Sequence, residues 1–395
     1  MPRYPKLVLK PNRERSLKRR HPWIFSGAIE GAPKCEDGSI MQVYDADGNC
    51  LGCGYFNSRC SIAVRMLSFG KQDPIEALRD NIRSAISFRR ALFDASTTDA
   101  VRLINSEGDG IPGLIADLYK DVLVIQISTL GIEKLREEVL ETLHSELKPR
   151  TILEKSHMAA RNEEGLDLVE RHLVGEEVEE VIIKENGFNF AVNFRNSQKT
   201  GFFLDQRSMR RRCHELSRTL AQSSKILNCF SFSGGFSVYA AAAGAGHVES
   251  VDTSKAALEL AKRNFELNQI DADKHAFIES DVFDYLRECS GPYDLIILDP
   301  PAFAKARSEV KGAERGYRDI NHKALGLLKA GGVLITCSCS YFLDAESFQR
   351  VVFEAAASSG RVVQIIGRHD LAPDHPISLF HPEGSYLKSL VLRAS

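Results

Sequence analysis

A regular alternation of strand and helix patterns constrains the second half of this chain more than any other feature. Short apolar runs that fit buried strands occur at 225–230, 248–252, 276–281, 293–299 and 333–338. Helical patterns separate them at 235–244, 254–268 and 320–332, the last expected to stop at its glycine pair. Such alternation predicts an α/β domain, with helices on both faces of a parallel sheet. Ligands of these sheets bind at the carboxyl ends of the strands, which is where we look for a site.

The first half of the chain has different patterns, and 395 residues exceed one ordinary core. Residues 1–72 read as short strands with one basic helix over 14–20, which suggests a small β-barrel. Residues 73–185 combine a helix opening at Asp73-Pro74, strand hairpins and a charged helix over 133–147, as in a small α+β domain. A hairpin with an Asn186-Gly187 turn opens the third domain, 186–395.

Charge is unevenly distributed along a chain whose formal net charge is only −2. The first twenty residues contain one acid, Glu14, and eight bases: Arg3, Lys6, Lys10, Arg13, Arg15, Lys18, Arg19 and Arg20. This patch predicts a polyanionic partner such as nucleic acid, and a solvated charged face is the alternative.

Targeting and metal signals are weak. The N-terminus has no signal-peptide core and no apolar run is long enough to span a bilayer, so we expect a cytoplasmic protein with no membrane partner and with reduced cysteines. Cys50, Cys53 and Cys60 have no convincing fourth ligand nearby, and no metal site is expected.

Two strand ends favour an adenosine-containing ligand. After the run at 225–230, small residues lead to Gly234-Gly235 at a helix start, where the backbone can approach a ligand closely. The G-x-G-x-x-G fingerprint is absent, which disfavours a dinucleotide. Asp252 ends the next strand, where a carboxylate can accept hydrogen bonds from both ribose hydroxyls. A helix cap is the alternative for Asp252, although Thr253 and Ser254 could serve as the cap instead.

Two further strand ends suit a flat base. Asp281 and Val282 follow the third strand, where the acid or its neighbouring backbone could bond an adenine amino group while Phe283 packs on the ring. A core phenylalanine beside a helix cap fits that stretch almost equally well. In Asp299-Pro300-Pro301 the prolines force the chain stiffly out of the sheet, with Asp299 over the cleft and Phe303 available for stacking.

The last strand end carries two thiols, Cys337 and Cys339, within Thr-Cys-Ser-Cys-Ser. Free cysteine is among the most buried residue types, so a core role comes first for either thiol. Alternate residues of an extended chain point to opposite faces. One thiol can therefore belong to the core while the other faces the cleft.

Together these stretches resemble class I S-adenosylmethionine-dependent methyltransferases, and more narrowly the bacterial 23S rRNA large-subunit methyltransferase I family, which forms 5-methylcytidine. Residues 16–29 are similar to that family's RNA-binding PUA domain, and 108–117 to its central domain. The K-T-G-x-F-x-D-x-R stretch at 199–207 is specific to a small group of rRNA methyltransferases. The resemblance implies a β-barrel PUA domain, a small α+β domain and a C-terminal Rossmann-like methyltransferase domain.

The resemblance also implies ligands and residue roles. The cofactor is S-adenosylmethionine, bound by Gln206, Phe230, Ser231, Ser233, Gly234, Gly235, Asp252, Thr253, Asp281, Val282, Asp299 and Pro300. The substrate is 23S rRNA or a large-subunit precursor, bound by Lys199, Thr200, Phe203, Arg207, Phe303, Arg19 and Arg20. The oligomeric state is left open, with a homodimer as one expectation.

Catalysis is implied for Cys339 and Asp299. A thiolate that adds to C6 of cytosine makes C5 nucleophilic enough to take a methyl group. The cysteine of Ser-Cys-Ser that matches the family is Cys339, and Asp299 would hydrogen-bond the base near N3. One departure is that Pro301-Ala302 stands where many such enzymes carry a second thiol, so the base that removes the C5 proton is unidentified.

Three alternatives stay open. Relatives that share the K-T-G-x-F-x-D-x-R and D-P-P-x-F motifs methylate a base nitrogen and need no nucleophile, so Cys339 discriminates. Uracil-C5 enzymes usually have Asn-Pro after the Ser-Cys, where this chain has Ser340-Tyr341. A non-catalytic RNA-binding or assembly factor would keep the fold without the cofactor.

Overall fold

The computed structural model describes residues 4–195 and 200–395. The chain forms two compact units, each assembled from separate segments. Unit 1 contains Met1–Ile183, Val192–Leu204 and Pro373–Gly384, and unit 2 contains Lys184–Ala191, Asp205–Ala372 and Ser385–Ser395. The division into domains 1–72, 73–185 and 186–395 stays a prediction.

A five-stranded sheet opens unit 1, in the order β1-β3-β4-β5-β2. Its elements are β1 (Lys6–Val8), α1 (Arg15–Lys18), β2 (Trp23–Phe25), β3 (Ile40–Tyr44), β4 (Cys50–Phe56) and β5 (Ile62–Phe69). The single helix lies within the predicted basic segment. Alternate residues of the strands fill one core, with Met41, Val43 and Val64 fully buried.

A second five-stranded sheet has the order β10-β9-β8-β7-β6. The strands are β6 (Ala100–Asn105), β7 (Leu114–Tyr119), β8 (Val122–Ile127), β9 (Thr151–Ser156) and β10 (Val169–Gly175). The helices are α2 (Pro74–Leu92), α3 (Leu130–Lys134), α4 (Arg136–Leu147) and α5 (Ala160–Glu164). Asp73 caps α2 through two backbone N–H groups, and the helix predicted over 133–147 is instead two helices separated at Leu135.

The hairpin of β11 (Glu180–Glu185) and β12 (Phe188–Asn193) turns at Asn186-Gly187 as predicted. Both turn residues have positive φ, 50° and 86°, which is the requirement of a type I′ turn.

Unit 2 is built on a seven-stranded sheet in the order β15-β14-β13-β16-β17-β19-β18. The strands are β13 (Lys225–Cys229), β14 (His247–Asp252), β15 (Ala276–Glu279), β16 (Tyr293–Leu298), β17 (Leu328–Ser338), β18 (Val363–His369) and β19 (Lys388–Ala394). The helices are α6 (Arg207–Ser217), α7 (Gly235–Ala242), α8 (Lys255–Leu267), α9 (Val282–Glu288), α10 (Val310–Leu327) and α11 (Ala345–Ser359). The predicted α/β class is confirmed, with β19 as the antiparallel strand beside β17.

The structure differs from the sequence prediction at the junction of α10 and β17. A helix was predicted over 320–332, but α10 ends at Leu327 and β17 begins at Leu328, before the glycine pair. Leu328 pairs with Tyr293, and the register then shifts so that Val333 pairs with Leu295. The glycines therefore lie in an irregular strand, where they accommodate a bulge instead of ending a helix.

The length and hydropathy of the helices indicate whether any of them could span a membrane. Among the residues that the structure describes, no helix is both long and apolar enough to cross a bilayer.

Candidate active site

The parallel strands of unit 2 end along one edge of the sheet. The adjacent strands β13, β14, β16 and β17 place the loops after Cys229, Asp252, Leu298 and Ser338 along that edge. This register brings together the stretches that the sequence singled out.

The loop after β13 is shaped by its backbone. Phe230, Phe232 and Gly234 all have positive φ, at 58°, 45° and 75°. Phenylalanine adopts this region at a cost, so a surrounding structure must hold it there. A Cβ on Gly234 would lie 2.7 Å from Cβ of Ala261 on α8, which leaves room for no side chain. The Asn264 amide also donates to the Ser233 carbonyl at 2.8 Å.

Asp252 fastens this loop to β14. Its Oδ2 accepts from the Phe232 N–H at 2.8 Å, and its Oδ1 accepts from the Ser254 N–H at 2.9 Å. Ser254 caps α8, accepting from the Ala257 N–H at 3.2 Å, so Asp252 is not needed as the cap. Each carboxylate oxygen keeps a further lone pair, which suits a ribose hydroxyl. Thr253 beside it is exposed.

Asp281 caps α9, with its Oδ1 accepting from the Phe283 N–H at 2.8 Å and the Asp284 N–H at 3.2 Å. This is the alternative that the sequence allowed. Val282 is buried in the core, and Phe283 is half-buried. Asp281 is itself exposed, so its second oxygen is open to solvent.

The loop after β16 meets the start of α6 through one hydrogen bond. The Gln206 amide donates to Oδ1 of Asp299 at 2.7 Å. Gln206 is buried, and no residue in 4–195 or 200–395 donates to its Oε1. The bond orients the half-buried Asp299 carboxylate, and the open Oε1 is an acceptor for a ligand.

Ser340 joins three elements around Cys339. Its fully buried hydroxyl accepts from the Ala304 N–H at 3.2 Å and lies 3.0 Å from the Tyr317 hydroxyl. The Cys339 Sγ lies 3.8 Å from the Pro300 carbonyl oxygen. The two motifs, Asp-Pro-Pro and Ser-Cys-Ser, are therefore in direct contact.

The two thiols differ in burial. Cys337 is fully buried in an apolar cluster with Ile297, Ile335 and Val391. Burial raises the pKa of the Cys337 thiol well above its usual value, and the Asp299 charge raises it further. Cys339 is half-buried. Cys337 therefore has the properties of a core residue, whereas Cys339 is accessible.

Phe303 lies in an aromatic cluster. Its ring centroid is 4.6 Å from Tyr317, 5.8 Å from Phe283 and 6.3 Å from Phe230. The ring is half-buried, so the cluster fixes its plane while leaving part of it exposed.

The other residues predicted to bind substrate lie in different environments. Arg207 is buried, and its Nε donates to Glu185 at 3.2 Å. In unit 1, the Thr200 hydroxyl donates to Asp117 at 2.6 Å, and Phe203 is half-buried. Lys199 lies outside the described residues.

The two predicted RNA-binding arginines are exposed. Arg19 and Arg20 form no ion pair within the described part of the chain, whereas neighbouring Lys18 pairs with Glu14 and Asp45. Their guanidinium groups are thus available to an anionic partner.

The sequence reasoning missed Lys388, at the start of β19. It is 9% exposed, and its Nζ donates to the Ser340 carbonyl at 2.5 Å and the Tyr386 carbonyl at 2.9 Å. Burial lowers the pKa of Lys388 to about 8, against the opposing effects of Cys339 and Asp344. The signal was a lone charge entering the apolar run Leu390–Leu392.

The loops fit an adenosine-type cofactor. The Ser231 hydroxyl is buried with no partner in 4–195 and 200–395, like the Gln206 carbonyl oxygen. These two polar atoms accompany the Gly234 backbone and the Asp252 carboxylate, which match the polar groups of such a ligand. No cluster of three or more metal-ligating side chains occurs among the described residues.

Family profiles match most of the chain. A profile described as S-adenosylmethionine-dependent methyltransferase covers residues 113–393, and one described as PUA-like domain covers 7–69.

Individual proteins match at full length. A protein of Pseudoalteromonas atlantica named ribosomal RNA large subunit methyltransferase I is 41% identical, over 98% of this chain and 99% of its own. A relative of the same name from Salmonella arizonae is 39% identical over 99% and 98%. A solved structure described as a candidate methyltransferase complexed with SAH has a TM-score of 0.84 at 25% identity, covering 98% of this chain and 100% of its own.

Proposed function

The chain belongs to the S-adenosylmethionine-dependent ribosomal RNA large subunit methyltransferase I family, and we propose that it methylates C5 of a cytosine in 23S rRNA through a covalent Cys339 adduct. The observation that carries the choice of C5 is the contact between Cys339 and the Asp299-Pro300 loop. An accessible thiol lies 3.8 Å from the Pro300 carbonyl, next to a carboxylate held by Gln206. Methylation of a base nitrogen would need no such thiol.

Cys339 supplies the nucleophile. Its thiolate adds to C6 of the flipped-out cytosine, which places electron density on C5. Ser340, bonded to Ala304 and Tyr317, holds the strand end so that the sulfur keeps its position over the Asp299 loop. After methylation the C5 proton passes to water, the C6–S bond breaks, and its electron pair returns to sulfur.

Asp299 orients the base. Held by the Gln206 amide, the Asp299 carboxylate would accept a hydrogen bond from the cytosine amino group, beside N3. A hydrogen bond there fixes the ring so that C6 points to the thiol. Phe303, steadied by its aromatic neighbours, packs against the base.

The cofactor is held by the loops after β13 and β14. Asp252 would bind the ribose hydroxyls, Ser231 and Gln206 would provide further polar contacts, and Gly234 would let the backbone approach the ligand. When bound, S-adenosylmethionine supplies an electrophilic methyl group on a sulfonium.

The RNA is held in part by unit 1. The PUA-like segment 7–69 includes the exposed Arg19 and Arg20, which would contact phosphates and position the RNA. Because ribosomal RNA is the proposed substrate, we infer that the protein acts in the cytoplasm. A homodimer remains compatible with this function.

The test is product analysis. The protein is incubated with 23S rRNA and labelled S-adenosylmethionine, and the RNA is digested to nucleosides. We expect label in 5-methylcytidine, and loss of about 10³-fold or more in rate for Cys339→Ala. Cys337→Ala is the matched control and should retain product formation.

A second readout isolates the adduct. RNA containing 5-fluorocytidine should form a denaturation-resistant complex with the wild type and with Cys337→Ala, and none with Cys339→Ala. Fluorine replaces the C5 proton whose removal releases the enzyme, so the covalent adduct persists. Label in a methylated base nitrogen or in 5-methyluridine would reject the proposal. Full activity of Cys339→Ala would do the same.

A further inference from the structure

Lys388 is placed against the strand end that carries Cys339. In the antiparallel pair of β17 and β19, Lys388 is opposite Ser338, the residue before the cysteine. Its Nζ donates to the carbonyl of Ser340, the residue after the cysteine, at 2.5 Å. The lysine thus contacts both flanks of the proposed nucleophile.

The ammonium has carbonyl partners but no carboxylate partner. Its hydrogen bonds go to the backbone of Ser340 and Tyr386, and among the residues that the structure describes no acid forms an ion pair with it. A buried cation without an anion is costly unless one is supplied. The other buried bases of unit 2 are paired: Arg207 and Arg210 both bond Glu185. Lys388 is therefore suited to an anion that forms during the reaction.

We propose that Lys388 is a positioning residue whose ammonium is the counter-charge of the Cys339 thiolate, keeping that sulfur ionised when it attacks C6 and when it leaves. The proposal rests on the proposed role of Cys339. It assigns to β19 an electrostatic contribution to the reaction.

The proton transfer is internal to the pair. The Cys339 S–H bond breaks, its electron pair stays on sulfur, and the proton forms the third N–H bond of the Lys388 ammonium. A thiolate and an ammonium result from a thiol and an amine, so charge and atoms balance. Because burial lowers the pKa of Lys388 to about 8, the amine form needed for this step is accessible near neutral pH.

Other titratable groups border the pair. Asp344, the cap of α11, acts on Lys388, and Tyr317 of α10 acts on Cys339. Asp299 and Cys339 both act on the buried Cys337. The Tyr386 hydroxyl donates to Asp205 at 2.6 Å. Lys388 is the cation among these named groups, and a positive charge beside the sulfur favours the thiolate.

The experiment measures the thiol directly, without turnover. The full chain is treated with iodoacetamide from pH 5.5 to 10, and alkylation of Cys339 is followed by peptide mass spectrometry, which separates it from the other cysteines. For Lys388→Met we expect the pH midpoint of Cys339 alkylation to rise by about one unit or more. The alkylation rate at pH 7 would then be about tenfold lower than in the wild type. Lys388→Arg should restore most of the wild-type profile.

The matched control is Lys329→Met. Lys329 lies on β17, near the opposite end of the strand, and pairs with Asp294 at 2.7 Å. Its removal should leave the midpoint unchanged. Binding of S-adenosylhomocysteine (SAH) and thermal unfolding establish that each variant is folded.

An unchanged midpoint in folded Lys388→Met would overturn the proposal, as would an equal shift in Lys329→Met. The readout is independent of the base that is methylated. A shifted midpoint in Lys388→Met without any 5-methylcytidine product would reject the proposed function and retain the Lys388–Cys339 ion pair. Formation of 5-methylcytidine with an unshifted midpoint would reject the ion pair and retain the proposed function.

Discussion

The loop after β13 and the end of β17 lie on one edge of the same sheet, but they are built in different ways. The first is defined by backbone geometry, with positive φ at Phe230, Phe232 and Gly234. The second is defined by buried side chains, with Ser340 and Lys388 bonded around Cys339. A cofactor shared by many enzymes can be recognised through backbone shape, whereas a covalent step needs particular functional groups at particular positions.

Because the two regions are built differently, substitutions in them should affect different properties of the protein. A substitution in the backbone-defined loop should affect folding and cofactor binding together. A substitution at the side-chain-defined end should affect ionisation and rate while the fold persists.

Gly234→Ala should give the largest effect on the first region. The left-handed backbone and the 2.7 Å approach to Ala261 together cost about 2–4 kcal/mol of unfolding free energy. SAH affinity should fall about tenfold or more, because the loop must shift to admit a methyl group. Denaturant unfolding and calorimetric titration measure the two quantities.

Gly244→Ala is the matched control for that prediction. Gly244 follows α7 with φ of 96°, and no atom lies within 4 Å of its added Cβ. It should cost about 1–2 kcal/mol of backbone strain, with SAH affinity unchanged. Equal SAH affinity in Gly234→Ala and the wild type would show that the close approach does not shape the cofactor loop.

Lys388→Met should give an intermediate, pH-dependent effect on stability. The pKa of Lys388 is about 8 in the folded state, below the ordinary lysine value of 10.5, so the folded state loses the proton first as pH rises. Wild type should therefore gain stability relative to Lys388→Met between pH 8 and 10, by about 1 kcal/mol after allowing for solvent screening. Below pH 8 the difference should be constant.

Thermal unfolding of both proteins at half-unit pH steps measures this difference. A constant difference between wild type and Lys388→Met up to pH 10 would mean that the ammonium is not destabilised by burial.

The backbone-defined region was the more predictable one from sequence. A glycine pair after an apolar strand, and an acid at the end of the next, are local patterns with direct physical meaning. The cap at Asp73 and the Asn186-Gly187 turn were predictable for the same reason. In the cap and in the turn, the interacting atoms are only a few residues apart in the chain.

The side-chain-defined region was less predictable. Ser340 meets Ala304 across 36 residues, and Lys388 meets Ser340 across 48. Such contacts depend on strand order. A final strand of the sheet was predicted within 381–392, but its antiparallel pairing between β17 and β18 was not. The resemblance located Cys339 and Asp299, whose roles remain predictions, but it did not lead to Lys388.

The start of β17 was mispredicted because local preference competed with pairing. The Lys329–Gly332 stretch follows a helical pattern and resembles a helix stop. The pairing of Leu328 with Tyr293 extends the strand past it. Tertiary hydrogen bonds therefore outweighed the local signal.

The smallest effect on either region should come from Arg19→Ala with Arg20→Ala, in unit 1. Both side chains are exposed and form no ion pair in the described part of the chain, so their removal takes two charges from any RNA contact and none from the fold. RNA affinity should fall a few-fold at about 150 mM salt, and the slope of log affinity against log salt should decrease by up to about two. SAH affinity and the Cys339 alkylation midpoint should be unchanged.

The control for this pair removes two charges that are already neutralised. Arg318 and Arg350 are exposed bases of α10 and α11, paired with Glu354 and Glu314 at 3.1 Å. Arg318→Ala with Arg350→Ala changes net charge equally and should leave the salt slope nearly unaltered. If the two double variants change the slope by the same amount, RNA attraction depends on net charge alone. If the salt slope decreases only in the Arg19→Ala, Arg20→Ala variant, a phosphate contact is located on the PUA-like segment.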